Sequence, residues 1–196
     1  MNLRDSSEFL AAIEGGDVDE VRRLLNGGAD AKREIETPIR DGVHRTTPLA
    51  TAARAGHPAI VRLLLERGAH PAGGSGHSVL VGLALEGFYE PEVVRLLVEA
   101  GADPSEQDQE TGLDILHAVA RAGDLDTLQF LLARGVELGA SHLGSAAESG
   151  HPEVFLAIAD CPVRRERERV FAAIVPLVDD PSAPERPPPF RTLLAD

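Results

Sequence analysis

Seven histidines, a block of carboxylates and one glycine-rich turn are the residues of this chain whose types could do chemistry. A metal centre needs converging ligands, and sequence-local centres betray themselves by spacings such as HxxxH, HExxH or paired cysteines. None of these spacings occurs, and Cys161 is the single cysteine. His44, His70, His77 and His142 fall where loops or repeat edges are expected, so neither a metal nor a cofactor is assigned to them. Ser141-His142 places a hydroxyl beside a base, but without a G-x-S-x-G elbow nothing marks the serine as a nucleophile. No catalytic residue is assigned. Gly73-Gly74-Ser75-Gly76 could wrap a phosphate through its amides, yet no lysine follows it and no strand precedes it. The acids between Glu86 and Asp114 lack the alternating ladder and closing glutamate of a calcium loop. What remains is recognition. The competing reading, a metal-dependent enzyme or regulator, requires His44, His77 and a carboxylate to converge.

The elements that must position these residues repeat themselves. Two leucines or near equivalents, then two residues, then a glycine, recur as Leu24-Leu25 before Gly28, Leu64-Leu65 before Gly68, Leu97-Val98 before Gly101 and Leu131-Leu132 before Gly135. The intervals of 40, 33 and 34 residues are those of a solenoid, which offers a ridged surface rather than a central pocket. In TTPLATAARAGHPAIVRLLLERGAHPA (46–72), Thr47 is suited to cap a helix with Pro48 at its first position. Leu49, Ala52 and Ala53 share one face of that helix, and Gly56 ends it. His57-Pro58 opens a second helix with Ile60, Val61, Leu64 and Leu65 as its apolar stripe, and Gly68 ends that one. The same skeleton sits on Gly16, Gly87, Gly123 and Gly150, with Ser7, Ser78, Asp114 and Ser141 nine residues upstream as expected N-caps. In the third unit Phe88-Tyr89 reads as an insertion.

Composition narrows the class further. The 196 residues are 43% hydrophobic but only 4% aromatic, which suits close stacking of slim helices rich in Leu, Val, Ile and Ala. No stretch approaches the roughly 20 apolar residues of a membrane span, and MNLRDSSEF does not read as a secretory signal. With a lone cysteine this makes a cytoplasmic protein the expectation. Lys32 is the only lysine, and the excess of Arg, Ala, Gly and Pro suggests a bacterial genome of high GC content. A net charge of −13 opposes nucleic-acid binding. Residues 86–114 carry −8 of it, with Glu106, Asp108 and Glu110 at their centre. Such a stretch serves either as a solvated face or as a docking site that steers a basic partner.

TTPLATAARAGHPAIVRLLLERGAH, LLNGGAD, VRLLVEAGAD and ILHAVARAGDLDTLQFLLARG together resemble the ankyrin repeat. The resemblance implies an all-α solenoid of stacked helix–turn–helix pairs, in repeats of about 5–31, 44–72, 75–105, 111–139 and 138–160 that make up a domain over 1–160. It also implies a non-enzymatic module that binds a protein partner through a groove lined by finger loops and by late positions of each first helix. Carried over position by position, the fingers are Val43, His44 and Thr46; Gly74, Ser75 and His77; and Glu110, Thr111 and Leu113. The helix positions are Arg54, Leu85, Glu86, Arg121 and Glu148. His117 takes the place of the histidine that stabilises the family's turn by hydrogen bonds. Five such repeats would span on the order of 50 Å, enough for an interface of about 800 Å² a side. A narrower version is an acidic inhibitor or immunity protein acting on a basic enzyme such as a nuclease. A monomer is expected.

Two segments depart from the pattern. Between Asp30 and Thr47 the connection is longer than standard and basic, with Lys32, Arg33, Arg40 and Arg45; it is either a functional loop or a tolerated insertion. RRERERVFAAIVPLV (164–178) predicts a C-terminal capping helix within 161–180, followed by a Pro-rich tail over 181–196.

Overall fold

A computed structural model describes residues 3–39, 42–72 and 78–159. The capping helix and the Pro-rich tail expected from the sequence lie outside the described residues, as do Gly74, Ser75 and His77. The chain divides into two compact units, Met1–Ile115 and Leu116–Asp196.

The first unit contains three helix pairs. The first members are α1 (Leu3–Glu14), α3 (Pro48–Arg54) and α5 (Val79–Glu86), and the second members are α2 (Val18–Asn26), α4 (Pro58–Glu66) and α6 (Pro91–Glu99). Each pair folds back on itself, and like members stack: α1 on α3, α3 on α5, α2 on α4 and α4 on α6. The local chemistry explains the boundaries. Thr47 Oγ1 accepts from the Ala50 amide at 3.1 Å and Ser78 Oγ from the Val81 amide at 3.3 Å, satisfying donors that the first turn cannot. Pro48, Pro58 and Pro91 occupy first helical positions. Alanines at 52 and 53 let neighbouring helices approach, while Ile60, Val61 and Leu64 are fully buried. Leu65, expected on that stripe, is only half-buried; Leu63 takes the inward place.

Among its described residues the second unit holds α7 (Ile115–Ala122, starting at the boundary), α8 (Leu125–Leu132), α9 (Ala140–Ser149) and α10 (Pro152–Ala159). Here α10 packs on both α8 and α9. Leu128, Leu131 and Val154 are fully buried. Asp124 opens α8, accepting from the Thr127 amide at 3.0 Å and the Thr127 hydroxyl at 2.8 Å.

All five glycines predicted to turn one helix into the next adopt positive φ, from 69° to 79°. That region costs an L-residue about 1–2 kcal/mol, which is why glycine recurs there. Two of the five expected N-caps fail. Ser7 lies inside α1, which starts at Leu3, and Ser141 lies inside α9. In the second case Gly139 takes the capping position, and its own amide donates to Nδ1 of His142 three residues further on at 2.8 Å, the return half of a capping box.

The long connection after Asp30 is a β-hairpin. β1 (Ile35–Ile39) pairs antiparallel with β2 (Gly42–Thr46), from Ile35 opposite Thr46 to Ile39 opposite Gly42. The β-branched residues of IETPI and GVHRT suit a pleated strand, and no helical periodicity competes. Ile35 anchors the base at 4% exposure, and Arg45 Nε meets Glu36 Oε1 across the strands at 2.9 Å. The hairpin is the one sheet among the described residues, so the all-α class stands.

Candidate functional site

The finger between α6 and α7 is held by a local network of hydrogen bonds. Asp103 opens it: its carboxylate accepts from the Ser105 hydroxyl at 2.6 Å and the Ser105 amide at 2.9 Å, which holds the acid below its ordinary value. Asp108 then organises the tip. Its Oδ2 accepts from the Glu110 amide at 3.1 Å, the Thr111 amide at 2.7 Å and the Thr111 hydroxyl at 2.7 Å. The Asp108 amide donates to the Leu113 carbonyl at 2.8 Å, the Gly112 amide returns to the Asp108 carbonyl at 2.8 Å, and Gly112 takes φ +70° to close the turn. Behind it, buried Asp114 accepts from Gln107 Nε2 at 3.2 Å.

This corrects one expected site residue. Asp108 is buried at 6% and faces the turn, so it builds the finger instead of meeting a partner. Glu106, Glu110 and Thr111 are exposed and Leu113 is half-exposed, so the tip presents two carboxylates from a fixed backbone. Sequence reading could not separate Asp108 from Glu106 and Glu110 by charge. The D-x-x-T-G string is the signal that was there to use, since a short acid before Thr and Gly is turn chemistry.

The helix positions carried over from the family lie at the surface to different degrees. Arg54 Nη2 lies 3.5 Å from Glu14 Oε1 and its Nε 4.0 Å from Glu86 Oε2, so Arg54 bridges the ends of α1 and α5. Arg54 and Glu86, carried over as partner-facing, are thus rungs of a charge ladder along the first helices. Exposed pairs of this length contribute about 0–1 kcal/mol, so the rungs can still exchange partners. Leu85 (37%), Arg121 and Glu148 are exposed as expected. Thr46 is half-buried, with its hydroxyl 3.2 Å from that of Thr51, a structural role. Val43 and His44 lie on β2, with side chains outside the described residues.

Two histidines pack against turn glycines. The His57 ring donates from Nε2 to the Glu14 carbonyl at 3.1 Å and covers Gly16, where a Cβ would sit 2.9 Å from the ring. His151 covers Gly123 more tightly, at 2.3 Å from such a Cβ. His142, expected at a loop edge, is on α9 and 2% exposed, its ring 4.3 Å from that of buried His117. Asp114, His117 and His142 each offer a ligand-type atom within 4.8 Å of the others, a grouping that no sequence spacing announces. The hydrogen bonding there is nevertheless that of a structural ring. His142 Nδ1 accepts from the Gly139 amide at 2.8 Å, which leaves the ring proton on Nε2. A ligand at Nε2 would require that proton to move to Nδ1, at the cost of the Gly139 bond. The convergence of His44 and His77 that a metal-dependent reading requires falls outside the described residues.

No helix among the described residues is long and apolar enough to cross a membrane. Residues 5–73 and 80–165 match the family described as ankyrin repeats, in three copies. A 2-5A-dependent ribonuclease of Mus musculus is 41% identical over 69 residues, which is 35% of this chain and 9% of that protein. The chain therefore spans only a small part of that relative's length. The repeated helix pairs, their glycine turns and this coverage lead to one conclusion: the chain belongs to the ankyrin-repeat family, whose fold is a protein-interaction module and generally not an enzyme.

Proposed function

We propose that this protein binds a basic protein partner through its finger surface, with the finger between α6 and α7 as the principal contact. The observation that carries this reading is the Asp108 turn. It fixes a backbone from which Glu106 and Glu110 project into solvent, in the stretch that holds −8 of the net −13 charge. A preordered loop loses little entropy on binding, so its contacts convert to affinity efficiently. Focused negative potential speeds encounter with a cationic surface and opposes nucleic acid.

The test starts by capturing a partner with the tagged full chain, then comparing association kinetics of the unmodified chain and the Glu106→Gln/Glu110→Gln variant. Peripheral charge acts mainly on encounter, so association should slow several-fold at low salt while dissociation changes little. The difference should shrink as salt shortens the Debye length from about 10 Å at 0.1 M. Equal association rates at low salt would overturn the reading.

A further inference from the structure

Asparagine occurs twice in this chain, as Asn2 and Asn26, and Asn26 is followed by Gly27 and Gly28. A carboxamide before glycine is open to attack from within its own chain, because no Cβ on the next residue shields the amide nitrogen. That nitrogen adds to Cγ of Asn26, ammonia leaves, and a five-membered succinimide closes. Water then opens the ring at either carbonyl and leaves aspartate or isoaspartate at position 26. One water is consumed and one ammonia released, so the reaction needs no oxidant, metal or enzyme.

The structure occupies both reacting groups. Asn26 is exposed and ends α2. The Gly27 amide, which is the nucleophile, donates to the Arg23 carbonyl at 2.9 Å. The amides of Gly28 and Ala29 close the helix end on the Leu25 and Leu24 carbonyls at 3.2 and 3.0 Å. While the Gly27 bond stands, that amide keeps its proton and its helical orientation, and neither suits attack on Cγ. The carboxamide is tethered from the next helix pair, where Arg67 Nη2 donates to Asn26 Oδ1 at 2.9 Å. Reaction therefore requires the last turn of α2 to open, and helix ends are where opening costs least. The neighbouring units show what the product does. Two residues before the terminal glycine, where the first unit has Asn26, the second and third have Glu66 and Glu99. An aspartate restores an acid to that column and turns the Arg67 bond into an ion pair, stronger than the neutral bond. An isoaspartate lengthens the main chain by one carbon and breaks the turn at Gly27-Gly28. We propose that Asn26-Gly27 is a self-modification site, held unreacted by the Arg23 carbonyl and by Arg67, and converted when the end of α2 opens. It shares no residue with the finger.

The test incubates the full chain in mildly alkaline buffer and samples it over days. Trypsin cuts after Arg23 and Lys32, so position 26 is read in one peptide, LLNGGADAK. Its aspartate and isoaspartate forms are separated by chromatography and identified by mass. The same peptide made synthetically gives the rate without the fold. Both products should form in the chain, at least about tenfold more slowly than in the free peptide. Mild denaturant should raise the conversion rate in step with amide exchange at Gly27. Arg67→Ala should quicken conversion several-fold with helical circular dichroism unchanged, and Gly27→Ala should slow it in the chain and in the matching peptide alike. Equal rates in the unmodified chain and the free peptide would overturn the proposal, because the fold would then hold nothing back. An unreacted chain under conditions where the Gly27 amide exchanges freely would overturn it as well. An unchanged rate in Arg67→Ala would remove the tether. If Arg67→Ala disturbs the fold, the match between exchange and conversion in the unmodified chain decides.

Discussion

Asp108 and Asp103 illustrate how an acid on a charged surface can belong to the backbone. Asp108→Ala leaves two amides and a hydroxyl without their acceptor and should cost about 1–3 kcal/mol in denaturant unfolding. Amide exchange at Thr111 should quicken at the same time. Glu106→Gln and Glu110→Gln should change stability by less than about 0.5 kcal/mol, and a similar loss in all three would contradict the assigned roles. Asp103 gives the pH dependence. Its folded value is held down by Ser105, so its contribution is complete above the ordinary aspartate value of 3.8. That contribution fades as pH falls through the lower folded value. Ser105→Ala should raise the Asp103 titration midpoint measured by carboxyl NMR shifts and weaken that acid-side dependence; an unmoved midpoint would contradict the hydrogen-bond cause. At this scale the sequence was least legible. Charge placed Glu106, Asp108 and Glu110 together, but only hydrogen-bond direction distinguishes an acid that faces the turn from one that faces water. His142 was misread likewise, because its burial depends on a helix that starts two residues earlier than its serine suggests.

The helix–turn–helix pairs were the most legible elements, since glycine at positive φ and proline at a first helical position are local demands that tertiary context rarely overrides. Two glycines with the same backbone requirement should behave differently. Gly56→Ala meets nothing within 4 Å and should cost about 1–2 kcal/mol for its φ alone, whereas Gly123→Ala also drives a methyl into His151. The prediction is a larger loss for Gly123→Ala, partly restored by adding His151→Ala; thermal melts of the three variants check it. Leu64→Ala, fully buried on α4, should cost about 2–5 kcal/mol. The hairpin was less legible. The sequence marks the stretch between Asp30 and Thr47 as an extra basic connection, but Pro38 and Gly42 interrupt the alternation that announces a strand, and pairing is a property of two segments that neither shows alone. Because Ile35 is the core-buried residue among the hairpin side chains that the structure describes, shortening the hairpin to a four-residue turn from Glu36 to Arg45 should leave helical circular dichroism unchanged.

For the whole molecule, a net charge of −13 favours self-repulsion, and light scattering after size exclusion should give the mass of one chain, 20.8 kDa. A dimer at low salt would show that Phe88 or another apolar contact outweighs the charge. The overall class was legible because a repeat states the same requirement several times, so single lapses such as Ser7 do not obscure it. The binding surface was not, since exposure and pairing are decided between repeats. The ladder Glu14–Arg54–Glu86 adds a property of another kind, one concerning descent. In the first compact region Arg54 thus meets a carboxylate on each side, Glu14 two residues before its turn glycine and Glu86 one residue before its own. A gene duplication that copied the α3–α4 pair next to itself would set arginine against arginine. Copying two consecutive pairs would preserve the alternation. Within these three helix pairs, duplication in twos thus keeps Arg54 between two carboxylates, an advantage of about 0–1 kcal/mol per pair.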